Sequence, residues 1–186
     1  MKTLKFLSIT LIAVLGLMAF TTVGDKLVSS KTHIKFFSTT PAEDIEANNY
    51  AAVSTIDKTD GKFVFSVPMQ GFEFPKSLMQ KHFNQKKFLN TSKFPKAKYV
   101  GNITNLSDID FESDGTYTAK VDGEMTIRGI TKPVSENATI EVSGGSVNLK
   151  TKFFITLADY GIEFEKGKPS SNIADKVEVT AIAEYN

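Results

Sequence analysis

The stretch formed by residues 117–134 constrains the fold of this chain more strongly than any other. Up to Ile127, small or apolar residues at every second position alternate with Thr, Lys, Asp and Glu side chains, which is the period of a β-strand with one buried face. Residues 128–133, RGITKP, then interrupt the pattern, because Gly permits positive φ and Pro donates no main-chain hydrogen bond. A second alternating run covers residues 134–142. The stretch therefore predicts a β-hairpin with a long first arm, whose apolar face lines the protein interior.

The remaining patterns predict about eight strands and one short helix. Residues 41–49 are acidic and polar, which favours a loop or a short helix. Pro75 can begin a short helix in which one apolar face is formed by Leu78, Met79, His82 and Phe83. The number and spacing of the strands are typical of a closed antiparallel barrel or a sandwich. The other strand candidates are residues 25–38, 50–56, 63–67, 99–109, 147–157 and 177–185.

The N-terminal residues 1–24 have the composition of a secretory signal peptide. Two lysines precede an apolar run at residues 6–20, and small residues follow it. The run is shorter than the roughly 20 apolar residues of a membrane-spanning helix, so a transmembrane anchor is the less favoured interpretation. Cleavage is expected after Thr21 or Gly24, and residues 25–186 are expected to form one domain without a stable membrane anchor. The predicted location is the periplasm of a bacterium, or the medium into which the protein is secreted.

Composition limits the classes of protein to which this chain can belong. With 186 residues, of which 41% are hydrophobic, the chain has enough apolar material for one buried domain and little for two. Removal of Lys2 and Lys5 with the signal peptide reduces the basic residues from 22 to 20, against 21 acidic ones. This balance argues against a nucleic-acid partner, which calls for a basic surface. The chain has no Cys, so disulfides and thiolate chemistry are excluded.

The sequence contains no recognisable motif for catalysis or metal binding. There is no G-x-S-x-G elbow and no glycine-rich phosphate loop. The chain contains only two His residues, so a zinc site would need carboxylates to complete it. Alternating acidic residues at positions 108, 110, 112 and 114 lack the Gly and the terminal Glu of a calcium loop, and a solvated turn is favoured. The residues therefore predict neither an enzyme nor a metal site.

Two ordered motifs resemble one known family. The first comprises His82-Phe83, Phe88-Leu89 and the segment KFPKAKY at residues 93–99, and the second is GEMTIRGITKPV at residues 123–134. They are similar to the His-hydrophobic pair, the aromatic pair, the aromatic-Pro step and the G-x-L-T-I-x-G-V-T-x-x-V signature of the YceI-like polyisoprenoid-binding family. The resemblance covers essentially the whole chain after the predicted signal peptide. It implies an exported bacterial protein with a lipocalin-like antiparallel β-barrel of about eight strands and one short helix.

The resemblance also implies a ligand, namely an isoprenoid or similar long apolar lipid, such as a polyprenyl or quinone chain, in the barrel lumen. No cofactor other than such a lipid is expected, and a homodimer is left open. Lys86, Lys87 and Lys93 could meet a pyrophosphate or other head group, although keeping a loop soluble is the simpler role for exposed lysines. The residues predicted to bind the lipid are apolar: Ile34, Phe36, Phe63, Phe65, Phe72, Phe74, Met79, Phe83, Phe88, Met125, Ile127, Phe153 and Ile155.

Three functions stay open at this point. A lipid carrier requires an empty lumen, and Gly123 and Ala119 on the buried face of the hairpin are expected to leave volume there; without a void, the inward side chains interlock as an ordinary core. A lipid- or quinone-modifying enzyme requires polar groups such as Glu124, Arg128 and His82 to converge inside the barrel. A stress-related structural barrel without a ligand requires a contiguous exposed apolar patch.

Overall fold

Every strand of the structure is paired with its neighbours in the antiparallel sense. The computed structural model describes residues 25–163 and 172–186, so the predicted signal peptide lies outside the described residues. In that part of the chain the strands are β1 (Lys26–Thr39), β2 (Asp44–Asn49), β3 (Val53–Asp57), β4 (Lys62–Pro68), β5 (Phe72–Glu73), β6 (Lys96–Ile103), β7 (Gly115–Ile127), β8 (Ile130–Ser143), β9 (Ser146–Thr156) and β10 (Lys176–Tyr185), and the α-helix α1 (Ser77–Asn84) follows β5.

Within residues 25–163 and 172–186, eight of the strands close a ring in the order β1-β10-β9-β8-β7-β6-β4-β3-β1. The ring closes because β1 is long and divides its pairing: its first residues, 26–28, pair with β3, and its second half, 34–39, pairs with β2. The short β5 pairs with β2 and extends this side branch. The fold is therefore a closed eight-stranded antiparallel barrel with one helix, which confirms the predicted lipocalin-like barrel and excludes the sandwich.

The predicted hairpin is the β7–β8 pair, but its turn is much shorter than the sequence suggested. Only Arg128 and Gly129 lie outside the strands, with φ of 51° and 78°, and Ile127 pairs directly with Ile130. Two successive positive φ angles define the turn that best matches the twist of an antiparallel pair. Pro133 does not end the strand as expected. It is tolerated because this half of β8 has a partner on one side only, β7.

Two segments differ from the interpretation of the sequence. Residues 41–49 were expected to form a loop or a helix, whereas Asp44–Asn49 is strand β2. Its alternate residues Ile45, Ala47 and Asn49 are buried, and the Asn49 amide donates to the carbonyl of Pro68 at 2.7 Å. The strand expected over residues 99–109 is shifted: β6 covers Lys96–Ile103, and a short 3-10 turn follows it.

One end of the barrel is packed solid. Here the C-terminal halves of β3, β6, β8 and β10 lie beside the N-terminal halves of β7 and β9. Their inward side chains are buried against each other. We call this end the floor; its residues include Ile56, Ile103, Ala119, Ile140, Val142, Val147, Leu149, Ala183 and Tyr185. At the opposite end, the barrel opening is bordered by α1 and by the described parts of the β9–β10 connection, residues 157–163 and 172–175. Across the residues that the structure describes, no helix has the length and hydropathy needed to cross a membrane.

Candidate functional site

The barrel is hollow above its floor. A cavity of about 980 Å³ begins above the packed residues and reaches the end that carries α1. This volume lies at the upper end of the range for small-molecule sites in proteins. None of the floor residues from Ile56 to Tyr185 named above lines it. The alternative to a void was an interlocked core. This prediction is therefore correct for the floor and wrong for the half of the barrel that carries α1.

Every residue predicted to bind a lipid faces this cavity. The structure brings together side chains from the strands β1, β4, β5, β7 and β9, from α1 and from the segment after it. Lipid binding itself stays a prediction for these residues. The set that lines the cavity comprises Ile34, Phe36, Phe63, Phe65, Phe72, Phe74, Met79, Phe83, Phe88, Met125, Ile127, Phe153 and Ile155.

A cluster of phenylalanine rings holds α1 over the open end. The centroid of the Phe83 ring lies 5.1 Å from that of Phe74, 5.4 Å from Phe72 and 5.8 Å from the Phe36 ring on β1. Such tilted and offset arrangements are the favoured geometries for aromatic pairs. Phe88 extends the cluster at 6.0 Å from Phe83. Because α1 places Phe83 inward and leaves Leu78 61% exposed, the helix is attached to the cavity rim by one face.

The sequence analysis missed one wall of the cavity and misplaced the residues that create its volume. Val177, Val179 and Ala181 on β10 line it, and their strict alternation in the sequence was a sufficient signal. Gly123 and Ala119 do not line the cavity. Ala119 belongs to the floor, and Gly123 lies opposite Gly101 where β6 and β7 approach each other closely. The small residues that widen the cavity are instead Ala97, Ala138 and Ala181.

Basic side chains are found at the rim of the open end. Lys87 lines the cavity, whereas Lys86 and Lys93 do not, and the Lys93 ammonium lies 5.2 Å from the centre of the Phe94 ring. Lys76 lines the rim but is paired with Glu43 at 2.8 Å. His82 also reaches the rim from the exposed side of α1. Of the three candidate lysines, only Lys87 is placed to meet a head group.

The barrel wall is open on one side, between β8 and β9. These strands pair only from Ala138–Thr151 to Ser143–Ser146. Beyond that point residues 130–137 of β8 pair only with β7, and residues 152–156 of β9 pair only with β10. The two strands therefore diverge, and they enclose a groove of about 420 Å³, which we call the slit. It is lined by residues 132–136 and 153–156 together with Met125, Asp159 and Tyr160.

A hydrogen bond bridges the slit at the open end of the barrel. Arg128, in the β7–β8 turn, donates from its Nη1 atom to the carbonyl of Gly161 at 2.6 Å. Gly161 follows the 3-10 turn Leu157–Tyr160 that leaves β9. The Nε atom of Arg128 is buried and has no hydrogen-bond partner among the residues described. Arg128 thus connects the turn of the β7–β8 pair to the 3-10 turn at the end of β9.

Glu136 lies in the wall of the slit, and its carboxylate points into the barrel. It lies on the buried face of β8, between Val134 and Ala138, and lines both the cavity and the slit. In the part of the chain that the structure describes, its carboxylate makes no hydrogen bond and no ion pair. Burial raises its pKa, because the charged form loses solvation without gaining a partner. The signal in the sequence was an acidic residue between Val134 and Ala138 on the apolar face of an alternating strand.

Tyr99 brings a hydroxyl group close to Glu136. The phenol donates to the carbonyl of Val134 at 3.0 Å, with a longer contact of 3.4 Å to the carbonyl of Val121. Burial, together with the negative charges of Asp122 and Glu136, raises the pKa of Tyr99 to about 12. Since its proton is held by a main-chain carbonyl, the Tyr99 oxygen is left as an acceptor.

The other polar residues considered in the sequence do not form a site. His33 lies on the outside, where its Nε2 atom is 2.7 Å from Oδ1 of Asn48 and its ring stacks on Tyr50. Glu124 is exposed, and Arg128 is engaged at the slit, so neither converges with His82 in the lumen. Among the described residues no group of three or more His, Asp or Glu side chains is arranged to hold a metal ion.

Comparison with known proteins identifies relatives along the whole described chain. A family model described as the YceI-like domain matches residues 23–185. A UPF0312 protein of Shewanella denitrificans is 30% identical over 124 residues, which is 62% of this chain and 60% of that protein. A UPF0312 protein of Pseudomonas fluorescens is 35% identical over 102 residues, 51% of this chain and 48% of that protein. The chain thus spans between about half and 60% of the length of these curated relatives.

Solved structures share the fold at low sequence identity. A polyisoprenoid binding domain from Saccharophagus degradans, described as implicated in plant cell wall breakdown, superposes with a TM-score of 0.74 at 10% identity, covering 87% of this chain and 98% of that one. BcnA of Burkholderia cenocepacia superposes with a TM-score of 0.67 at 16% identity, covering 83% of this chain and 96% of the other. At these identities the likeness shows the fold alone.

Proposed function

The chain belongs to the YceI-like domain family, and from this premise we propose that it is an exported bacterial protein that binds a long apolar lipid, such as an isoprenoid or quinone chain, in the barrel lumen. The observation that supports this function best is the cavity of about 980 Å³ above the packed floor. Its wall is built from the apolar faces of seven ring strands and the aromatic cluster under α1. The polyisoprenoid ligand of the Saccharophagus degradans domain agrees with this chemistry.

The size of the cavity suits a hydrocarbon chain. At about 30 Å³ for each water-sized group, it accommodates roughly 30 such groups. Enclosing only ten methylene groups at ~0.8 kcal/mol each gives about 8 kcal/mol before the costs of association and ordering are subtracted. A ligand of this class therefore needs no charged anchor for binding.

A binding role is preferred to an enzymatic one. The family and the polyisoprenoid-binding neighbour favour a binding protein. A lipid- or quinone-modifying enzyme would need polar groups that converge on the ligand, and Glu124, Arg128 and His82 point to three different places. A structural barrel without a ligand has no use for a cavity of this size. Export to the periplasm or the medium is part of the proposal and derives from the composition of residues 1–24.

The proposal is tested by identifying what co-purifies with the protein. Native mass spectrometry of protein isolated from its own periplasm or medium is expected to show a bound lipid. Ala181→Phe fills the cavity from β10 and should abolish that adduct, whereas Thr180→Phe, on the opposite face of the same strand, should retain it. Circular dichroism establishes that both variants fold. A lipid-free protein that also fails to bind apolar chains after purification would overturn the proposal.

A further inference from the structure

We propose that the slit between β8 and β9 is a polar subsite of the lumen, in which Glu136 accepts a hydrogen bond from the end group of a lipid that carries an N–H or O–H donor. The inference rests on the proposed lipid-binding function and adds the chemical class of the ligand. It favours long-chain amines, amides and alcohols over chains that end in an acid, an ether or a hydrocarbon.

Glu136 lies between apolar residues on the inner face of β8. The neighbours of Glu136 on the inner face of β8 are Val134 on one side and Ala138, Ile140 and Val142 on the other, all apolar. A carboxylate at such a position loses solvation, and this costs stability unless a partner compensates. Within residues 25–163 and 172–186 the structure supplies no partner for Glu136. A group that is costly to the empty protein and faces its ligand cavity is best explained by an interaction with the ligand.

The side-chain groups around Glu136 offer the same kind of interaction. The Tyr99 hydroxyl donates its proton to the Val134 carbonyl, and the Thr151 hydroxyl, which also lines the cavity, donates to the Asn137 carbonyl at 2.8 Å. Both oxygens keep lone pairs free, as does the carboxylate of Glu136. Three side-chain acceptors therefore surround this part of the cavity, and a ligand group that donates hydrogen bonds satisfies them.

The nearby charges do not change this preference. Lys132 lies on the same face of β8, but four residues away, which is about 13 Å along a strand. Asp159, the other charged residue of the slit, is acidic like Glu136. Neither forms an ion pair with Glu136 in the part of the chain that is described. The carboxylate of a fatty acid would meet like charge at this point, whereas an ammonium group would meet opposite charge.

The test compares lipids that share one chain and differ at its end. Delipidated protein is titrated with hexadecylamine, hexadecanol, hexadecyl methyl ether and hexadecanoate in displacement of an environment-sensitive apolar dye. The wild-type protein is expected to bind the amine and the alcohol at least about tenfold more tightly than the ether, in line with a hydrogen bond to a charged group. Hexadecanoate is expected to bind more weakly than the alcohol.

Substitution of Glu136 separates the subsite from the rest of the lumen. Glu136→Met should bring the affinities for the amine and the alcohol to within a few-fold of that for the ether, while the affinity for the ether is retained. Glu124→Gln removes an exposed carboxylate from the outer face of β7 and should leave every affinity unchanged. The melting temperature of empty Glu136→Met should rise by about 2–4 °C, because a desolvated carboxylate has been removed. A merely structural Glu136 would instead lower it.

The outcomes distinguish this inference from the function on which it rests. Equal binding of amine, alcohol and ether by the wild-type protein, or an unchanged preference in Glu136→Met, would overturn the subsite and leave lipid binding intact. Failure of all four compounds to bind would overturn both. Glu136→Gln, which keeps the shape of the side chain and loses its charge, provides a second variant and should weaken binding of the amine most.

Discussion

At the scale of single residues, two hydroxyl groups meet inside the packed floor. Ser54 on β3 and Tyr185 on β10 are both fully buried, and their oxygens are 2.5 Å apart. They join strands that lie on either side of β1 and that are separated by 131 residues in the sequence. A buried hydroxyl without a partner loses solvation and gains nothing in return, so each of these groups depends on the other.

Removal of one member of this pair should destabilise the barrel. Tyr185→Phe leaves Ser54 unpaired, and we expect the free energy of unfolding in urea to fall by about 1–3 kcal/mol. Adding Ser54→Ala to Tyr185→Phe should cost little more, because no orphaned hydroxyl remains. A double-mutant cycle measures this coupling. Strictly additive effects would show that the two hydroxyls do not stabilise each other.

At the scale of the elements, β6 and β7 approach each other so closely at one pair of positions that neither residue there can have a side chain. Gly101 and Gly123 pair across the two strands, and a Cβ atom at either position would overlap the main chain of the opposite strand. Gly115, at the start of the same strand β7, differs because the atoms nearest to a Cβ there belong to the side chain of Tyr117. The two glycines of β7 therefore have different reasons for lacking a side chain.

This difference predicts different effects of one substitution. Gly123→Ala should lower the free energy of unfolding by about 1–3 kcal/mol, as expected for overpacking against main-chain atoms. Gly115→Ala should have a much smaller effect, because the Tyr117 ring can shift. Urea denaturation of the two variants makes the comparison within one strand. Equal stability of both variants would contradict the close approach of β6 and β7.

Elements with a strict period of two could be predicted from the sequence, and so could the hairpin partners β7 and β8, but the pairings between strands far apart in the chain could not. The alternation in β7 and β10 assigned each residue to a face correctly. The strand β2 was missed because its acidic residues hid the alternate burial of Ile45, Ala47 and Asn49. The slit was beyond prediction, because alternation indicates which face is buried but contains no information on where the β8–β9 pairing stops.

The same limit applied to the candidate site. Apolar residues of the hairpin, such as Met125 and Ile127, could be placed in the lumen because burial follows from their face of the strand. The division of the barrel into a solid floor and a hollow half depends on how side chains from distant strands fill space, and no local pattern records that. Glu136 is a charge on the apolar face of β8, a signal that the sequence analysis missed, and its meaning depended on the slit.

At the scale of the whole molecule, buried tyrosines couple stability to alkaline pH. Burial raises the pKa of Tyr99 to about 12 and also raises the pKa of Tyr160 and of Tyr185. The neutral phenol is therefore favoured in the folded state, whereas the unfolded chain releases its protons near pH 10. Their contribution to stability is fully present below about pH 10 and is lost as the pH rises towards 12 and beyond.

We expect the free energy of unfolding to fall steeply above about pH 10, by up to about 1.4 kcal/mol per pH unit for each tyrosine that stays protonated in the fold. Urea denaturation across this range, with tyrosinate absorbance as a second measure, tests the expectation. Tyr185→Phe removes one of these groups and should make the decline less steep. A stability that does not change between about pH 9 and 11 would contradict the burial of these phenols.

The packed floor has a consequence for any long ligand of this barrel. A tube that is sealed at its base cannot be passed through, so a chain enters and leaves either through the open end under α1 or through the slit. No part of the chain can emerge at the floor, so the ligand never crosses the barrel from end to end. A donor membrane and an acceptor membrane therefore both have to face the hollow half of the molecule.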